Sequence, residues 1–128
     1  MNTPRAKTAG FTLIELLVVM TIIALLLTLA VPRYFHSVEK SKETVLRDNL
    51  SILRESLDKY YGDIGKYPDA LSDLVTKKYL RSVPRDPVTE STTTWVAVAP
   101  TDPNKGAIYD IKSGAPGKAR DGSLYAEW

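Results

Sequence analysis

The chain reads as an α+β protein, a long amino-terminal helix followed by a small antiparallel β domain. Three observations carry that reading. Residues 11–31 form an apolar run in which Glu15 is the only charge, and at about 1.5 Å per residue a helix of this length spans the roughly 30 Å of a bilayer core. Leu46, Leu50, Leu53, Leu57, Tyr60 and Ile64 then recur at steps of four and three, which places one apolar stripe on a second helical stretch. Near the carboxy end, two short β-rich segments flank a turn.

The leader comes first. Arg5 and Lys7 precede the apolar run with no acid before Glu15, the charge asymmetry that keeps a leader in the cytoplasm and sends the chain beyond the run outside. A carboxylate in hydrocarbon costs on the order of a few kcal/mol even on permissive insertion scales, so Glu15 needs a partner. Cutting after Gly10 would give Phe11 a free amine one turn before Glu15, with a reference pKa of about 8, and the positive end of the helix favours an acid in its first turn. The amine of a neighbouring copy would serve equally, which points to self-assembly. A secretory signal peptide ends its apolar region at a small-residue cut; here the cut precedes the run and the run is retained. The competing view is an uncleaved signal anchor.

Pro32 lies where the helix would continue and removes the bond to the Thr28 carbonyl, so a break or kink is expected near 28–32, or a plain boundary between two segments. The amphipathic helix comes next, with Arg54–Asp58 and Glu55–Lys59 as solvated pairs four apart. Gly62 and Gly65 supply helix-ending chemistry, and the helix is expected to stop near Tyr61. Residues 69–75 read as a short helix after Pro68. Val83 to Pro87 is a rigid connector. Thr92 to Ala99 and Ala107 to Ile111 are the strand candidates, paired antiparallel across the 100–106 turn and laid against the long helix. The tail from Ser113 to Trp128 is a loop that packs down through Leu124, Tyr125 and Trp128.

Composition narrows the classes. The 128 residues hold one domain's worth of chain, with no cysteine and a net charge of +2; without Arg5 and Lys7, 15 basic residues face 15 acidic ones. A generic nucleic-acid binder is not indicated, and neither disulfides nor thiolate metal sites are available. There is one histidine, His36, beside Phe35 at the end of the apolar run, and no phosphate-binding glycine loop or histidine cluster. Asp102, Asp110 and Asp121 are scattered acids. No enzyme, nucleotide site or small-molecule substrate is expected.

Lys7-Thr8-Ala9-Gly10-Phe11-Thr12-Leu13-Ile14-Glu15-Leu16-Leu17-Val18-Val19 resembles the class III signal of type IV pilins and type II secretion pseudopilins. The succession Tyr67-Pro68, Asp86-Pro87, Tyr109-Asp110-Ile111-Lys112-Ser113-Gly114, Asp121-Gly122 and Trp128 is similar to the major, G-type pseudopilin, and the adhesive pilins' cysteine-closed loop is absent. The resemblance implies a pilin-like fold with three parts: leader 1–10, transmembrane and assembly helix 11–32, and periplasmic domain 33–128 including an amphipathic helix 33–61. It implies cleavage between Gly10 and Phe11 by a prepilin peptidase, N-methylation of Phe11, docking through Glu15 and a loosening near Pro32. It further implies a homopolymer anchored in the bacterial inner membrane, working with an assembly platform and minor pseudopilins to drive folded proteins across the outer membrane. The alternatives are a type IV pilin for adhesion, motility or DNA uptake, or a tethered periplasmic protein that never assembles. Many G-type pseudopilins hold calcium in the loop after the Tyr-Asp-Ile strand. Ser113 and Asp121 match that pattern best here, but Asp121 and Glu127 are the segment's only acids and Lys118 and Arg120 adjoin them, so a loop anchored by Tyr125 and Trp128 without metal is preferred.

Overall fold

The computed structural model describes residues 10–128; the expected leader, with Arg5 and Lys7, lies outside the described residues except for Gly10. The described elements are α1 (Leu13–Ile64), α2 (Leu71–Thr76), β1 (Val96–Val98) and β2 (Asp110–Lys112), with 3-10 turns at Pro103–Lys105 and Tyr125–Glu127. The chain forms two compact units, Met1–Ser37 and Val38–Trp128.

The described part of the first unit is helix and its short approach. Every large apolar side chain from Phe11 to Val31 is exposed, and the best 18-residue window has a mean hydropathy of 2.8, so α1 contains a stretch long and apolar enough to cross a membrane. The Thr21 and Thr28 hydroxyls donate to the carbonyls of Leu17 and Ala24, each at 2.8 Å, which satisfies them without an outside partner. The expected break at Pro32 is not a helix end: α1 is helical on both sides of it. Proline removes one ladder bond, and the intact turns on either side keep the rest of the helix continuous.

In the second unit the leucine stripe of α1 is the core. Leu46, Leu50, Leu53 and Leu57 are at most 2 % exposed and pack with Tyr60, Leu74 of α2, Leu80, Trp95, Ile108 and Ile111 of β2. Each such side chain gains about 1.5–3 kcal/mol by leaving water. Ile64, read as the end of the stripe, is 41 % exposed. The helix runs three residues past the expected stop at Tyr61 and ends where Gly65, at φ 81°, donates its N–H to the Tyr61 carbonyl at 2.8 Å. That is a left-handed glycine cap, so Gly65 and not Gly62 terminates α1.

β1 and β2 pair antiparallel with Val96 opposite Lys112, Ala97 opposite Ile111 and Val98 opposite Asp110. Both strands are three residues long, shorter than the β-rich segments around them. Gly106 lets the turn between them pass the main chain of Tyr67: a Cβ there would strike the Tyr67 carbonyl, and its φ is 107°. Several aromatic residues of the second unit serve packing. The Trp95 indole donates to the Pro84 carbonyl at 2.8 Å, Tyr61 stacks on Tyr67 at 4.5 Å between ring centroids, and Tyr125 meets Trp128 edge-on at 5.2 Å. Leu124, expected as a third pin, is exposed.

Leu53 sits in the middle of the stripe, fully buried. Leu53→Ala is expected to lower stability by about 2–5 kcal/mol, whereas Ile52→Ala on the exposed neighbouring face stays within about 0.5 kcal/mol. Thermal or urea unfolding of the two variants reads the difference.

Candidate functional site

The amino-terminal site is built by the start of α1. Gly10, Phe11 and Thr12 precede the helix and are exposed, so the peptide bond between Gly10 and Phe11 lies in irregular chain. The Thr12 hydroxyl accepts the Glu15 N–H at 3.1 Å, and the Thr12 carbonyl accepts the first helical N–H, from Leu16, at 3.1 Å. Thr12 is therefore the N-cap, and Thr-Leu-Ile-Glu has the spacing of a capping box. No cap was expected here from the sequence; the threonine three residues before the acid was the available signal. It fixes Glu15 in the first turn, where the helix dipole favours a carboxylate. The Glu15 side chain is exposed.

A second set of polar side chains ties the carboxy-terminal tail to α1. Glu43 is only 7 % exposed. One carboxylate oxygen accepts the Arg120 main-chain N–H at 2.7 Å and, at 3.5 Å, the Tyr125 hydroxyl; the other accepts Arg120 Nε at 3.1 Å. Burial pushes the Glu43 carboxyl up, but the hydrogen bonds and charge of Arg120, with a smaller contribution from Tyr125, outweigh it and hold the group below its ordinary 4.5. Tyr125 is raised in turn, by burial first and then by the charge of Glu43.

Arg54 was expected to pair with Asp58 on a wet face. Instead its Nε donates to Asp110 at 2.8 Å, and Nη2 donates to the carbonyls of Ile111 at 3.0 Å and Trp128 at 2.8 Å. A surface pair four residues apart offers a few tenths of a kcal/mol, and three charge-assisted bonds in a half-buried setting outcompete it. Glu55 and Lys59 do pair as expected, at 3.4 Å.

The two calcium candidates enter separate networks. Ser113 is fully buried; its hydroxyl donates to Asp86 at 2.6 Å and accepts the Ala115 N–H at 3.1 Å. Asp121 accepts from the Ser123 N–H and hydroxyl at 2.9 and 2.5 Å, and its other oxygen faces Arg47 at 3.6 Å. These contacts, the Ser123 hydroxyl bond foremost, lower its carboxyl. Among the described residues no group of three or more His, Cys, Asp or Glu is placed to hold a metal. Calcium takes six to eight oxygens, and this donor set does not fit it. The other acids are engaged within the fold, Asp102 locally by capping the turn at Asn104 and Asp110 across the fold by Arg54.

Residues 5–31 match the family described as the prokaryotic N-terminal methylation motif. The type II secretion system core protein G of Pseudomonas aeruginosa is 32 % identical over 99 residues, covering 65 % of this chain and 70 % of that protein. The chain belongs to the type II secretion core protein G family. The G protein of Klebsiella michiganensis is 30 % identical over the same length, with the same two coverages. The type IV major pilin PilA of Myxococcus xanthus is 29 % identical over 68 residues, 53 % of this chain but 31 % of the pilin. No solved structure matches. In this G-family chain the candidate features belong to different units: the capped helix start with Gly10, Phe11 and Glu15 to the first, and the contacts of Glu43 with the tail to the second.

Because Glu43 is lowered in the folded chain, protonation favours the unfolded one. Its contribution is complete above the ordinary value of 4.5 and is lost as pH falls through the lower folded value. Between about pH 6 and pH 3 the melting temperature is expected to fall less steeply in Glu43→Gln than in the parent chain. Parallel slopes would show that Glu43 carries none of the acid sensitivity.

Proposed function

We propose that the chain is a non-enzymatic structural subunit of a type II secretion pseudopilus. A prepilin peptidase cuts between Gly10 and Phe11, Phe11 is N-methylated, and the retained helix holds the subunit in the inner membrane with the leader cytoplasmic and residues 33–128 periplasmic. Subunits then polymerise through their apolar helices into a filament that helps drive folded proteins across the outer membrane. The assembly platform and minor pseudopilins are the partners, and the energy comes from an ATPase elsewhere.

The observation that carries this reading is a wholly exposed apolar helix with one carboxylate in its first turn. An apolar surface of that extent is unstable in water and is satisfied by lipid before assembly and by neighbouring helices after it. In this reading Glu15, in the first turn of α1, pairs with the amine that cleavage creates at Phe11, in its own copy or the next. Inside a bundle such a pair has low dielectric around it and gains only in good geometry, so it selects register. Coverage favours secretion over adhesion or motility: the Pseudomonas G protein aligns over 70 % of its length and the Myxococcus pilin over 31 %.

Mass spectrometry of the protein from membranes is expected to find a chain beginning at N-methyl-Phe11. Overexpression is expected to yield filaments that Glu15→Ala abolishes. A mature product retaining its first ten residues, or a Glu15→Gln subunit that polymerises like the parent, would overturn the proposal.

A further inference from the structure

The tail beyond Gly117 has few apolar anchors. Tyr125 and Trp128 pack on the core only partly, and regular pairing is confined to the single bridge between Lys118 and Leu124. Its turn is closed by the Ala119 N–H donating to the Ser123 carbonyl at 2.7 Å and the Gly122 N–H to the Ala119 carbonyl at 3.0 Å. The Trp128 indole reaches the Ser123 hydroxyl at 2.8 Å. Of the α1 side chains that reach this turn, Arg47 stands 3.6 Å from Asp121 on the exposed side, whereas the half-buried link is Glu43, which meets Arg120 at two atoms, main-chain N–H and Nε, with one oxygen for each. An acid buried to this degree is costly unless paired, and here the paired cation belongs to the loop itself.

The surroundings disfavour a second cation. Lys42, Lys118 and Arg120 line the same groove as Glu39, and Arg47 stands 3.6 Å from Asp121 and 4.4 Å from the centre of the Trp128 ring. Ser113, the other oxygen the family pattern would offer, is turned to the buried Asp86. A divalent ion would have to displace these contacts and enter a region already supplied with positive charge.

We propose that the tail of this chain is closed by the Glu43–Arg120 pairing and takes no divalent cation, the Arg120 guanidinium supplying from within the loop the positive charge that the buried Glu43 carboxylate needs. The tail then folds onto α1 whatever the calcium level of its compartment. This is independent of whether the subunit polymerises.

The test is hydrogen–deuterium exchange on the full chain in detergent, in EGTA and in calcium chloride, following peptides from 113–128. Protection is expected to be the same in both, while Glu43→Gln and Arg120→Gln raise exchange of that segment about tenfold or more. Protection that falls in EGTA or rises with calcium in the parent chain would overturn the proposal, as would parental protection in both variants. Should a variant fail to fold, the comparison of the parent chain in the two media decides the matter.

Discussion

Burial of one face of α1 is the constraint on which the second unit depends. Two three-residue strands cannot support a core of their own, since even a full two-stranded hairpin is marginal in water. The leucines at 46, 50, 53 and 57 instead provide a fixed apolar surface against which α2, the Trp95 segment and β2 are laid. Each later element buries a side chain or two on that surface: Leu74 from α2, Leu80 after it, Ile108 and Ile111 from the strand region. Small domains bury a low fraction of their surface, and a ready-made helix face limits how much more has to be ordered.

With so little sheet, polar side chains do the tethering that ladders do elsewhere. Three of them are acids or bases whose partners lie far along the chain: Glu43 to Arg120, Arg54 to Asp110 and the Ile111 and Trp128 carbonyls, and Asp86 to Ser113. Asp86 also accepts the Val88 N–H at 2.9 Å and the Thr89 N–H at 3.4 Å, an Asx turn that holds the connector while its second oxygen holds the tail's first serine. Among the described residues no buried side-chain nitrogen or oxygen lacks a partner, which is the condition under which buried polar networks add to stability.

Periodicity made the leucine stripe legible because every side chain in it follows one rule of spacing. It failed at Ile64, where the glycine that ends the helix matters more than the repeat. It also concealed Glu43, which lies three residues before Leu46 and so belongs to the same face; one of four charged residues in the polar stretch Glu39 to Thr44, it gives no hint that its partner is 77 positions away. Arg54 was misread for the same reason, since the four-residue rule sees Asp58 and cannot see Asp110. The helix start was legible in its acid but not in its cap. Chemistry between near neighbours is written in local pattern, whereas contacts across the fold need the packing that creates them.

The two parts of α1 solve opposite problems with one secondary structure. Up to Val31 the helix exposes large apolar side chains throughout, with Glu15 its one charge, and a helix is the form in which a chain in hydrocarbon can satisfy its backbone internally. From Glu43 to Tyr60 it is apolar on one side only, and that side is filled by its own domain. Continuity through Pro32 means that the covered and uncovered faces belong to one unbroken helix. Thr12 bonds the Glu15 N–H at its start and Gly65 bonds the Tyr61 carbonyl at its end, so both termini are closed by residues outside the helix. Glu15, the one acid among these apolar side chains, is exposed in the first turn, at the end where the proposed cleavage would create a new amine.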